Sequence, residues 1–292
     1  MTYLDYGIWI RKQFPFRVQK ISVDAGFSCP NRDGTKGVNG CVFCNNETFN
    51  PTYCQNGDSI ATQLEKGKSF FARKYPDMKY LAYFQAYSNT YAPLDRLKTL
   101  YEAALEVEDV VGLVIATRPD CIDEKKLNYL AELKKRTFLI VEYGVESCNN
   151  NTLKLINRGH TFECSREAIE RTHAIGILTG AHIILGLPGE SKDEILRQAD
   201  MISALPIDIL KLHQMQIVKG TKLAKCHEQM KPTIFSVEEY IDLIVEYISR
   251  LRKDIVLERF VSQSPKELLV APNWGIKNHE FTDLLNKRLN SL

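Results

Sequence analysis

The chain has 292 residues, 44% hydrophobic and 25% charged, with a formal net charge of +2 at pH 7. That length can bury one large core or two ordinary ones without disulfide staples, and the composition excludes long disordered stretches. The near-neutral balance excludes a histone-like polycation. No run approaches the ~18–20 apolar residues of a membrane span, and the first residues lack the order of a signal peptide, so no membrane association and a cytoplasmic location are expected.

Read in chain order, short β-branched or aromatic runs alternate with amphipathic stretches. Strands are predicted at 17–24, 79–84, 110–116, 137–143, 178–185 and 209–214. Most are near-continuous apolar runs, as parallel strands show when both faces are covered. Helices are predicted between them at 59–74, 94–106, 124–135, 165–174 and 192–204, the last opened by a capping box of Ser191 and Glu194. Six βα units in series predict an α/β protein, an open or partial barrel first and a doubly wound sheet second. After Gln216 the alternation stops. Ser236 and Glu239 make a second capping box, and Ile241, Ile244, Val245, Ile248 and Leu251 follow at helical spacing. A short run at 255–258 and a last helix at 280–289 complete the chain. Residues 1–216 are expected to form the barrel core, and 217–292 a C-terminal α/β extension packed on it, because no Gly/Ser- or Pro-rich linker divides them.

Cysteine usage is uneven, with four of the eight falling between Cys29 and Cys54. Cys29-Pro30-Asn31-Arg32-Asp33-Gly34 follows the first predicted strand, and Cys41-Val42-Phe43-Cys44 follows a loop holding Gly34, Gly37 and Gly40. A Cys-x-x-Cys pair with a third thiol across a glycine-rich loop suits a [4Fe–4S] cluster whose fourth iron is open to an exchangeable ligand. The competing reading is a zinc knuckle closed by Cys54, which would make the chain a zinc-stabilised nucleic-acid-binding or scaffold protein. The remaining cysteines pack as small hydrophobes.

At these residues the sequence resembles the radical S-adenosylmethionine (AdoMet) superfamily. Lys20-Ile-Ser-Val-Asp-Ala-Gly-Phe-Ser-Cys29 with Pro30 to Gly34 is similar to the signature of the YhcC/YtqA group. Val141 to Ser147, Asn157-Arg158-Gly159-His160-Thr161, Gly186-Leu187-Pro188-Gly189-Glu190 and Lys219-Gly220-Thr221 resemble the elongator catalytic-subunit family. Glu258-Arg259 and Ala271-Pro272-Asn273-Trp274 again look like the YhcC/YtqA group. The resemblance implies a partial (β/α)6 barrel in which Cys29, Cys41 and Cys44 bind a [4Fe–4S] cluster and AdoMet chelates its open iron. One electron then cleaves the sulfonium bond, and the resulting 5′-deoxyadenosyl radical abstracts a hydrogen from substrate. The protein's part is to hold these groups in near-attack geometry and to exclude water.

Carried over residue by residue, Phe43 matches a position whose backbone lies close to the AdoMet adenine, with core packing as the alternative. The superfamily's glycine-rich motif after the second strand is absent, and Ser88, Asn89 and Thr90 are expected to supply the lost polar contacts unless they merely cap a turn. Glu142, at the end of an apolar strand, needs a partner, for which the AdoMet ammonium or Arg158 would serve. Gly186 is expected to shape the adenine pocket through its backbone. Arg118 is either a bidentate anion ligand or a surface residue before proline. His160, beside Arg158, is a stronger candidate than His182 and His213, since a strand histidine is ordinarily a satisfied core residue.

The resemblance implies a transfer RNA modification at the wobble uridine, the step from 5-carboxymethylaminomethyl to 5-aminomethyl uridine. A radical AdoMet enzyme acting on a small molecule or a protein side chain is the alternative within the class. Expected partners are transfer RNA, a reducing electron donor and a methyltransferase that acts on the product. The basic runs at Arg73–Lys74 and at 134–136 are where RNA phosphates would first be sought.

Overall fold

The computed structural model describes residues 3–48, 51–54, 57–72 and 77–291. The chain opens with β1 (Leu4–Asp5), α1 (Tyr6–Gln13) and β2 (Val18–Val23), then a long loop leads to α2 (Ile60–Ala72). The regular alternation follows: β3 (Lys79–Phe84), α3 (Leu94–Leu105), β4 (Val110–Thr117), α4 (Glu124–Lys134) and β5 (Phe138–Glu146). After β5 come α5 (Asn150–Leu155), α6 (Phe162–Ala174), β6 (Leu178–Leu185), α7 (Lys192–Ser203) and β7 (Ile209–Gln214). The last part holds β8 (Ile217–Val218), α8 (Lys222–Met230), α9 (Val237–Arg250), β9 (Val256–Arg259), β10 (Leu269–Ala271) and α10 (Asn278–Asn290).

Eight strands form one sheet in the order β1-β9-β7-β6-β5-β4-β3-β2, every neighbouring pair parallel. The six strands read from the sequence are β2 to β7, the ones whose apolar runs are covered on both faces; in β4, Leu113, Val114 and Ile115 are wholly buried. Residues 217–292 do more than cover this sheet. They add β9 beside β7, and the two-residue β1 pairs with β9, so the N-terminus is held by the C-terminal segment. Helix α9 lies on α7 and α10 on α9, burying Tyr240, Tyr247 and Phe281. Both capping boxes form: Ser191 accepts from the Glu194 amide and Ser236 from the Glu239 amide.

The sheet is curled into a partial barrel, and one contact shows how far. Strands β2 and β9 stand six intervals apart in the order, roughly 29 Å if the sheet were flat. Yet Lys20 of β2 and Glu258 of β9 meet at 2.7 Å. Curling brings the C-terminal ends of all the parallel strands around one opening, and the loops leaving β2 to β7 gather there.

Gly186, just past β6, has φ +98, and a Cβ there would stand 2.4 Å from the Thr233 carbonyl oxygen. Its own carbonyl accepts the Thr233 amide at 2.9 Å. The turn is glycine because the segment before α9 runs directly against it. Gly186 therefore meets the C-terminal extension.

Candidate active site

The loop after β2 is held by hydrogen bonds to segments far along the chain. The Val42 amide donates to the Ile156 carbonyl at 3.0 Å, and the Leu223 amide to the Val42 carbonyl at 2.8 Å. Asn31 donates to the Asn157 carbonyl, and Asn157 Nδ2 returns a bond to the Gly40 carbonyl at 2.8 Å. This lacing places Cys29, Cys41 and Cys44 on the wall of one cavity at the C-terminal ends of the strands, together with Phe43. About 930 Å³ of free space, partly open to solvent, lies inside it.

Each of the three sulfurs faces N–H donors. Arg158 Nη1 is 3.6 Å and Asn31 Nδ2 3.8 Å from Cys41 Sγ, Arg118 Nη1 is 4.0 Å from Cys29 Sγ, and Asn46 Nδ2 is 3.6 Å from Cys44 Sγ. These are donors that would hydrogen-bond to cluster-bound sulfur; burial, with Cys41 beside it, pushes the pKa of the Cys44 thiol up. Arg158 Nε is buried without a partner, a further donor left for an anionic group. Among the described residues no three His, Cys, Asp or Glu side chains converge tightly enough to enclose a single metal ion. The fit of the three thiols to a cluster thus rests on their shared wall and their donors. Cys54 stands elsewhere: its thiol donates to Gln63 Oε1 at 2.9 Å, and burial pushes its pKa up to about 11. Cys54 is therefore not on the wall that Cys29, Cys41 and Cys44 share.

Four arginines line the cavity: Arg32, Arg118, Arg158 and Arg259. Arg118, buried at 2% exposure, forks onto Asp120 through Nε and Nη2, both at 2.9 Å, so it is no surface residue. Arg158 donates to the Gly144 carbonyl and lies 3.4 Å from Glu146. Glu146 and Tyr87, both on the wall, have φ +69 and +62. A left-handed conformation in such residues costs on the order of 1–3 kcal/mol and persists where the surroundings hold it, often at functional sites.

Beneath the cavity the bore of the sheet holds a buried ion cluster. Glu142, with no exposed side-chain surface, accepts from Lys20 at 3.0 Å, from Lys211 at 2.7 Å, from Tyr83 at 2.8 Å and lies 2.9 Å from His182 Nε2. Glu258 joins both lysines, at 2.7 and 3.1 Å. Burial alone would raise the Glu142 carboxyl, but Lys20, Lys211 and His182 outweigh it and hold the pKa well below the ordinary value of 4.5. Burial also lowers His182 and His213, whose rings lie 5.6 Å apart, so both stay neutral near pH 7.

The profile of the Radical SAM superfamily matches residues 34–202, and that of the Radical_SAM C-terminal domain residues 207–291. The chain is 36% identical to the YtqA protein of Bacillus subtilis (strain 168) over 280 residues, 96% of this chain and 87% of that one. The chain belongs to the radical AdoMet superfamily. Within it, the chain falls in the YhcC/YtqA group, related to the elongator family. It is 28% identical over 184 residues to a tRNA uridine(34) acetyltransferase of Methanocaldococcus infernus, 61% of this chain but only 33% of that protein. The fold is shared with the solved archaeal Elp3 of the same organism, at a TM-score of 0.68 and 20% identity. That likeness covers 94% of this chain and 63% of the other.

Membership makes the chain a radical AdoMet enzyme whose cofactors are a [4Fe–4S] cluster and AdoMet. Several residues expected to touch AdoMet are bonded to other parts of the chain. Ser88, Asn89 and Thr90 are wholly buried and do not line the cavity. Ser88 and Thr90 bond to Thr117 Oγ1, and Asn89 Nδ2 donates to the Ala116 carbonyl, so the three brace the turn after β3 against β4. Gln85 and Tyr87, just before them, reach the cavity instead. Glu142 pairs with neither Arg158 nor the cavity but with the bore lysines; the partner of Arg158 is Glu146. His160 is off the wall, bonded to the Thr161 carbonyl, whereas His182 and His213 are on it. Residues 134–136 close α4 before β5, at the opposite end of the strands from the cavity, where Lys135 pairs with Glu132 and Arg136 with Glu102. They are not at the cavity rim. Arg73 and Lys74 lie outside the described residues.

Removing the Glu142 charge leaves two buried ammonium groups with one carboxylate. Glu142→Gln is expected to destabilise the fold by roughly 3–5 kcal/mol in urea unfolding at pH 7. Because the folded pKa is depressed, the contribution is present above about pH 4.5 and fades as pH falls toward the folded value. The variant should therefore lose less stability than the parent between pH 5 and more acid conditions.

Proposed function

We propose that this enzyme modifies the wobble uridine of transfer RNA, converting a 5-carboxymethylaminomethyl side chain to 5-aminomethyl. With AdoMet as the two-electron oxidant, the methylene beside the carboxylate would become an imine that water hydrolyses, and its two carbons leave as glyoxylate. The observation that carries the reading is the shared barrel sequence with proteins named for transfer RNA uridine 34, joined to an open, arginine-lined cavity at the mouth of that barrel. A second groove adjoins the cavity, sharing Arg32, Cys44, Asn46 and Tyr87 with it and extending to Lys219 and Gly220. Lys222 and Lys225 on α8 are exposed nearby. An anticodon base must leave its stack to enter such a cavity, and phosphates flanking it would meet these lysines.

In this reading Cys29, Cys41 and Cys44 hold the cluster, and Phe43, Glu146 and Arg158 line the space beside it for AdoMet. When bound, the two cofactors supply one-electron cleavage and hydrogen-atom abstraction. The chain's own residues would donate hydrogen bonds to the cluster sulfurs through Arg158, Arg118, Asn31 and Asn46 and hold the reacting groups in one cavity.

Replacing Cys29, Cys41 or Cys44 by alanine should remove most iron and the broad visible absorbance of anaerobically purified protein, while Cys54→Ala keeps both. Equal loss with Cys54→Ala would restore the four-cysteine zinc-type site. For the substrate, enzyme, AdoMet and reductant are incubated with transfer RNA from cells lacking the gene, and the nucleosides are separated by mass. The wobble 5-carboxymethylaminomethyl uridine should give way to the 5-aminomethyl form. An unchanged wobble nucleoside, with deoxyadenosine formation driven by a small metabolite or peptide instead, would contradict the reading.

A further inference from the structure

The four cavity arginines differ in how their charge is met. Arg32 gives Nη2 to the Cys44 carbonyl at 2.9 Å and sits 6.0 Å from the Tyr87 ring centroid. Arg118 pairs with Asp120, which Lys36 also reaches, and Arg158 faces Glu146 and the Cys41 sulfur. Arg259, at the end of β9, has only His213, with Nη2 3.0 Å from His213 Nε2. Its Nε is buried without any partner, and among the described residues no carboxylate lies within ion-pair distance of it.

His213 is the wrong neighbour to satisfy this charge. Burial, and then Arg259 itself, push the imidazole far below its ordinary pKa, so it remains neutral and accepts from the guanidinium without cancelling its charge. His182 on the adjoining strand is neutral for the same first reason, its Nε2 already committed to Glu142. On the wall formed by β6, β7 and β9, Arg259 is thus a cation whose one side-chain partner is a neutral ring. Its free Nε edge, parallel to an Nη, is the side-on fork that matches a carboxylate.

We propose that Arg259, steadied by His213, binds the carboxylate of the substrate's 5-substituent and so selects carboxylated wobble uridine over its product. This rests on the wobble-uridine reading and adds to it the group that is recognised. A carboxylate there satisfies the orphan donor and neutralises the cation, whereas the uncarboxylated product leaves both unmet and departs more readily.

The test is equilibrium binding of one transfer RNA carrying three wobble groups: 5-carboxymethylaminomethyl uridine, the same group with its carboxyl converted to an amide, and 5-aminomethyl uridine. The parent protein should prefer the carboxylated RNA over both others by about tenfold or more. Arg259→Gln, with iron loading checked against the parent, should lose that preference, and Arg259→Lys should keep part of it. Two results overturn the inference while leaving the wobble reading intact: parent protein that binds the amide as tightly as the acid, and Arg259→Gln that discriminates as the parent does. Unaltered RNA discrimination with weakened AdoMet binding in Arg259→Gln would assign the arginine to the cofactor and equally overturn it. Parent protein that leaves carboxylated wobble uridine unreacted would remove the substrate reading itself, and the inference with it.

Discussion

Glu142 sits in the bore of the curled sheet with Lys20, Lys211, Tyr83 and His182 around its two oxygens, and Glu258 closes the set by bridging the same two lysines. These groups come from six different strands. Two ammoniums and two carboxylates taken out of water must find each other or cost several kcal/mol apiece. A flat sheet would separate Lys20 from Glu258, so the requirement for partners favours the curl that joins the first strand of the core to the strand donated by the C-terminal segment. Such clusters seldom add net stability over apolar packing. What this one supplies is a choice of which strands face one another. The thiol loop, laced to Ile156, Asn157 and Leu223, and the arginine-lined wall stand above it.

The six core strands were legible because their apolar runs are long and flanked by helices with clear caps. Strand β9 was visible as only a short run, and its place beside β7 was not, because a four-residue strand carries no signal of its neighbours. The two-residue β1 pairs only with β9 and had no pattern to read. Site residues divided along the same line. Cys29, Cys41 and Cys44 announce themselves by spacing. Glu142 was rightly seen to need a partner, but the partners come from strands distant in sequence. Lys20 and Lys211, each a cation inside a strand, were the signal that could have found them. Ser88, Asn89 and Thr90 fit the turn-cap alternative in part: each bonds to the Thr117 hydroxyl or the Ala116 carbonyl, and Asn89 Oδ1 is left buried without a partner.

The cavity shows a graded handling of charge. Near the thiols, Arg118 and Arg158 lie beside carboxylates and lend donors to sulfur, while Arg32 is bonded to the Cys44 carbonyl. On the β9 side a single arginine, Arg259, is bonded to the neutral His213 and to no carboxylate among the described residues. Electrostatic preorganisation of this kind costs nothing at the moment of binding because the dipoles and charges are already in place. The strained backbone at Tyr87 and Glu146 belongs to the same wall, each residue turning inward from the end of its strand or the loop beyond it.

The central claim is that the carbon attacked in this cavity belongs to the wobble uridine's side chain. Transfer RNA deuterated at the methylene between the amine and the carboxylate tests it directly, by the mass of the 5′-deoxyadenosine formed with reduced enzyme and AdoMet. The account predicts that deuterium appears in the deoxyadenosine in step with loss of the carboxymethyl group. Deoxyadenosine that forms without deuterium while the RNA stays intact would contradict it.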